Sequence, residues 1–108
     1  RRMPHFEYDG MQIETDEDGF ITDPSLWNEG VARAIAEQEE GLTELTDDHW
    51  KLIYYLNAYY QEHEIAPMVR TLCKKTGFKL KYVYELFPSG PARGACKVAG
   101  LPKPTGCV

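Results

Sequence analysis

Three side chains able to do sulfur chemistry stand in this chain, Cys73, Cys96 and Cys107. Cys96 and Cys107 are eleven positions apart, and Gly100, Pro102, Pro104 and Gly106 lie between them. Two prolines and two glycines in the last nine residues cannot continue a helix. The spacing predicts an extended arm over 100–108, stiff at Pro102 and Pro104 and hinged at Gly100 and Gly106. Stretched out at about 3.3 Å per residue, the arm carries Cys107 roughly 36 Å from Cys96. Folded back, it brings the two sulfurs within bonding distance. The thiolate is the nucleophilic form of cysteine, and Lys97 and Lys103 favour it. Cys107 is therefore the expected nucleophile, and Cys96 the resolving thiol that attacks sulfur bound on Cys107. The plainer alternative makes Cys107 an incidental exposed thiol and Cys96 a small core residue. No metal is expected: no C-x-x-C is present, and His5, His49 or His63 would have to complete a tetrahedral site. Cys73 shares an apolar helix face with Val69 and Leu72 and reads as a buried, inert thiol.

The elements that must position these thiols read as one domain. The chain has 108 residues, 43% of them apolar and 27% charged, enough for one hydrophobic core. It contains no apolar run of membrane-spanning length and no signal-like segment, so the expected compartment is the cytoplasm. Arg1 and Arg2 read as a trimmed or engineered start and are given no role. The odd cysteine count in such a compartment argues against a disulfide framework.

Asp9-Gly10, between His5–Asp9 and Met11–Thr15, is a hairpin signal. Asp16-Glu17-Asp18-Gly19 forms an acidic turn. Asp23 and Pro24 open a helix that runs, with a break at Asn28, to about Gln38. Thr46-Asp47-Asp48 starts the strongest helix, ending near His63. Its centre, 50–56, is apolar nearly all round, predicting a helix buried on most sides. His49 reads as a surface residue at its start. A further helix is predicted from Ala66-Pro67 to Thr76, another from Lys79 to Phe87, and a short last one from Pro91 to about Ala99, with Cys96 near its end. The expected fold is mainly α (α+β): an orthogonal helical bundle (20–99) with an N-terminal β-hairpin (1–19) and a flexible C-terminal arm (100–108).

Charge is segregated. Residues 1–67 hold 4 Lys/Arg against 16 Asp/Glu, while residues 68–108 hold 8 Lys/Arg against Glu85 alone. The C-terminal third is thus expected to meet something acidic: a partner protein, an anionic substrate or a nucleic acid. Arg70, Lys74, Lys75, Lys79, Lys81, Arg93 and Lys97 make up the candidate docking face. Most of them lie on a helix, Gly-containing turn and helix over 66–87. That pattern also resembles a DNA-binding helix-turn-helix, although the acidic first two-thirds would repel DNA.

The run from Gly90 to Val108, Gly-Pro-Ala-Arg-Gly-Ala-Cys-Lys-Val-Ala-Gly-Leu-Pro-Lys-Pro-Thr-Gly-Cys-Val, resembles the tail of the DsrC family, the gamma subunits of dissimilatory sulfite reductase. Asp16–Phe20, Leu45–Trp50, Ile65–Arg70 and Tyr84–Pro88 extend the likeness over nearly the whole chain from about Tyr8. The resemblance implies a co-substrate rather than a self-sufficient enzyme. The arm would enter the catalytic alpha and beta subunits, where Cys107 captures partly reduced sulfur. Cys96 would close on it as a trisulfide, and a membrane electron-transfer complex would reduce that product. The siroheme and iron–sulfur clusters would belong to the partner subunits, and this chain would carry no cofactor of its own. The family also includes TusE-type relays, which pass sulfur for tRNA thiolation and keep only the final cysteine. Those members imply sulfurtransferase partners. Both cysteines are present here, and the stretch between Thr76 and Tyr82 is short, which favours the sulfite reductase partner.

Overall fold

The computed structural model describes residues 5–102. Strands β1 (His5–Tyr8) and β2 (Met11–Glu14) pair antiparallel, with Tyr8 opposite Met11. Asp9 (φ 50°) and Gly10 (φ 79°) both take left-handed backbone, as a two-residue turn matching strand twist requires. An isolated two-stranded hairpin is marginal in water. This one is held by fully buried Ile13, by packing of β1 on the first helix, and by a bridge that pairs Thr15 with Ile21. Between those two residues the Asp16 carboxylate accepts the backbone N–H groups of Asp18 and Phe20 and fixes the acidic turn.

A 3-10 turn at Pro24–Leu26 is capped by Asp23, and Asn28 then caps α1 (Glu29–Glu40) by accepting from the Val31 N–H. The expected break at Asn28 is this second cap. Helix α2 (Asp47–His63) starts at Thr46, α3 covers Val69–Thr76 and α4 covers Leu80–Leu86. A wide π-type turn over Pro91–Ala95 runs directly into α5 (Cys96–Val98), which packs against α1 and α2. The core includes Phe20, Ile35, Leu52, Ile53, Leu56, Val83 and Phe87. Each such side chain contributes about 1.5–3 kcal/mol by leaving water. The mainly helical class with an N-terminal hairpin is what the sequence predicts.

Several expectations need correction. Helix α2 is not buried on most sides. His49, Leu52, Ile53 and Leu56, at spacings of three and four, form a single buried stripe. Tyr54 stays exposed because its hydroxyl can donate to the Glu29 carboxylate across the groove to α1. His49 is not a surface residue. It is 7% exposed, and its Nε2 lies 2.9 Å from the Leu86 carbonyl oxygen. Helix α3 begins at Val69 and not at Ala66-Pro67, because Met68 is still extended (ψ 148°). Cys73 is half-buried against the core edge.

Candidate functional site

The site is built around the end of α5. Gly90 (φ 90°, ψ −178°) turns the chain after α4, and Pro91, which has no N–H to satisfy, opens the wide turn. The Cys96 N–H reaches back to the Pro91 carbonyl, and the Ala99 N–H bonds the Ala95 carbonyl at 2.9 Å. The helix then stops at Gly100, whose φ of +82° is left-handed backbone that a side chain would strain.

The stop is a Schellman cap. The Gly100 N–H bonds the Lys97 carbonyl and the Leu101 N–H bonds the Cys96 carbonyl, both at 3.1 Å. A helix end leaves its last four carbonyls without partners. The remaining two are taken by side chains from distant elements. Trp27 Nε1–H donates to the Val98 oxygen at 2.9 Å, and Asn57 Nδ2–H donates to the Ala99 oxygen at 2.9 Å. Trp27 also packs closely against Gly100: a Cβ added there would stand 2.3 Å from the indole ring. Replacing Gly100 by Ala combines left-handed strain with a steric clash. It is expected to cost about 2–3 kcal/mol in urea unfolding, and a loss below 0.5 kcal/mol would show that Trp27 moves aside freely.

Inside this cap sits Cys96, 3% exposed. Burial pushes its thiol from an ordinary 9.0 up to about 12, because a thiolate there would lose its hydration. As the molecule stands, Cys96 is a protonated and shielded thiol.

Lys97 does not belong to the docking face. It is 8% exposed, its Nζ lies 3.2 Å from Glu39 Oε1, and it sits over the Phe20 ring at 5.2 Å. The apolar residues on both sides of it, Ala95-Cys96 and Val98-Ala99, are the sequence signal for this burial. The proposed arm boundary also moves. Gly100 is buried, Leu101 is 1% exposed and Pro102 is half-buried, so the packed body reaches at least Pro102. Lys103, Pro104, Gly106 and Cys107 lie outside the described residues. Arg70, Lys74, Lys75, Lys79, Lys81 and Arg93 are all exposed. Beside them on α4, Leu80 (43%) and Tyr84 (50%) are exposed at i and i+4, so this face is partly apolar. Among the described residues no group of three or more His, Cys, Asp or Glu could hold a metal, and no helix is long and apolar enough to cross a membrane.

Trp27 and Asn57 went unremarked in the sequence. Each meets its partner across 71 and 42 positions respectively, and local spacing carries no trace of either bond.

The family of DsrC like proteins matches residues 7–108, a span that takes in both Cys96 and Cys107. The "sulfite reductase, dissimilatory-type subunit gamma" of Nitratidesulfovibrio vulgaris is 54% identical over 106 residues, covering 98% of this chain and all of that protein. A "sulfurtransferase TusE homolog" of Haemophilus influenzae is 45% identical, over 92% of this chain and 95% of its own. The crystal structure of the oxidized gamma-subunit of dissimilatory sulfite reductase (DsrC) from Archaeoglobus fulgidus superposes with a TM-score of 0.87 at 47% identity, covering 97% of this chain and 100% of that one. With all its helices and its capped Cys96 segment inside the matched span, the chain belongs to the DsrC family.

Proposed function

We propose that this chain carries sulfur on Cys107 and Cys96 as the gamma subunit and protein co-substrate of a dissimilatory sulfite reductase. The observation that carries the reading is the pair of tail cysteines within a chain 54% identical, end to end, to such a gamma subunit. Electron counting supports it. Sulfite sulfur must gain six electrons to become sulfide. The catalytic alpha and beta subunits, which hold the siroheme and iron–sulfur clusters, supply two. One oxygen leaves as water in that step; the two thiols supply two more electrons as their sulfurs displace the remaining two oxygens, which leave as water with the thiol protons, and the product is a trisulfide with the central sulfur at the elemental level. A membrane electron-transfer complex then delivers four electrons, which with protons release sulfide and restore both thiols. The exposed cations Arg70, Lys74, Lys75, Lys79, Lys81 and Arg93 dock the partner.

One observation favours a second reading. Cys96 is buried and protonated, so a carrier that never exposes it works through Cys107 alone, as a persulfide relay of the TusE kind. Intact mass separates the two after incubation with sulfite, an electron donor and the purified reductase. Gain of one sulfur with loss of two hydrogens, abolished by either Cys96→Ala or Cys107→Ala, is the expected result. Gain that survives Cys96→Ala supports the relay. No gain under turnover sinks the reductase reading.

A further inference from the structure

The proposed trisulfide needs the Cys96 sulfur to meet a second sulfur, yet the structure encloses that sulfur. Resting on that reading, we infer that Trp27 and Asn57 form a clamp whose release exposes Cys96: they are positioning residues that set when this thiol can react.

The clamp's architecture separates it from ordinary core packing. The Schellman bond ties the Cys96 and Leu101 backbones together, so movement of one is coupled to movement of the other. The Schellman cap is local and involves only residues 96–101. Apart from its backbone bonds to the preceding turn, what ties it by hydrogen bonds to other elements, among the described residues, is the Trp27 bond to Val98 and the Asn57 bond to Ala99, with Lys97 paired to Glu39 on the other side. Trp27 and Asn57 belong to different elements, the end of the 3-10 turn and the middle of α2. Neither is fully buried. Asn57 also lines an open cleft of about 420 Å³ with Pro24, Ser25, Tyr60, Gln61 and Glu64. The Ala99 bond is therefore within reach of water, or of a partner's polar group able to replace the Asn57 amide. When both carbonyls are released, 96–101 is held by its own buried side chains and can open locally with α1 and α2 still folded.

The test uses the full chain with Cys73→Ala and Cys107→Ala, which leaves Cys96 as its single thiol. The rate of alkylation by iodoacetamide is measured at several pH values and at sub-denaturing urea concentrations. Trp27→Phe keeps the ring and removes only the N–H donor; Asn57→Ala removes the other. Leu72→Ala, a core change in α3, which packs on α2, is the reference for general destabilisation, with global stability measured for all variants. Each clamp variant is expected to raise the Cys96 rate about tenfold more than the reference does at equal global stability, with little dependence on urea. Rates that follow global stability alone, or that do not change, would overturn the clamp. Sulfur loading by the reductase is read separately. Its absence, with the alkylation result intact, removes the carrier reading and leaves the clamp standing.

Discussion

With Cys73 and Cys107 replaced by Ala, Cys96 in the folded chain is expected to alkylate at pH 8 at least about a thousandfold more slowly than the same thiol in urea. The reacting species is the thiolate, and a shift from 9.0 to about 12 lowers its fraction by about that factor before steric shielding is counted. The sign of the linked stability effect follows. A thiol whose folded value is raised binds more protons in the native state than in the unfolded state between those two values. Stability is therefore fully present below about pH 9 and falls as pH rises towards 12. The loss approaches about 4 kcal/mol at most, as an order of magnitude. Tyr55 and Tyr82 also titrate upward, through burial and through the Asp48 carboxylate respectively, and their contributions run in the same direction at higher pH. The difference between the parent and Cys96→Ala isolates the cysteine. Equal alkylation rates in folded and unfolded chains would show that Cys96 is open at rest, and the clamp would have no function.

This silence of the resting thiol bears on the carrier chemistry. An exposed pair of thiols closes into a disulfide under mild oxidation, which removes both from sulfur transfer. On the proposed carrier chemistry, a resolving thiol that is protonated and capped would stay available until its cap opens.

The sequence made these roles readable only in part, and the boundary is physical. Asp9-Gly10 and Thr46 announce the hairpin and the start of α2, and Asp23-Pro24 with Asn28 a broken helix that is in fact a 3-10 turn followed by α1, because a turn or cap is decided by residues within three or four positions. Cys96 and Cys107 were singled out for a similar reason, since glycine and proline around a thiol have local consequences. Lys97 misled because charge was read without its neighbours, and its partner Glu39 is 58 positions away. Trp27 and Asn57 were silent because a hydrogen bond to a carbonyl backbone atom leaves no mark on the residue type at the acceptor. Gly100 was read correctly as a place where the chain turns and incorrectly as a loose hinge. Positive φ identifies the turn, whereas the indole packed against it decides that the turn is fixed.

His49→Ala is expected to destabilise the chain by about 4 kcal/mol, a large share of the roughly 5–15 kcal/mol that holds such a domain together. Its imidazole serves both ends of the molecule's central contact. Nδ1 accepts the Thr46 N–H at 3.0 Å and closes the capping box of α2, so the proton resides on Nε2, which donates to the Leu86 carbonyl at 2.9 Å. That carbonyl ends α4 and would otherwise be one of its unpartnered acceptors. The ring also meets Phe87 edge-on at 5.2 Å. Truncation to Ala therefore removes a cap worth about 1 kcal/mol, strands a buried acceptor at about 1–3 kcal/mol, and leaves a cavity. His49→Gln should recover the cap alone, since Gln at this position can accept the Thr46 N–H, and should restore about 1 kcal/mol. Urea unfolding of the three proteins measures the order, and a loss below about 1.5 kcal/mol in the Ala variant would mean that the Leu86 bond holds nothing. The consequence reaches the thiol, because only Pro88 and Ser89 separate Leu86 and Phe87 from the Gly90-Pro91 turn that launches the Cys96 segment. Loosening them is expected to raise Cys96 alkylation in step with global stability, in contrast to the local release expected at Trp27 and Asn57.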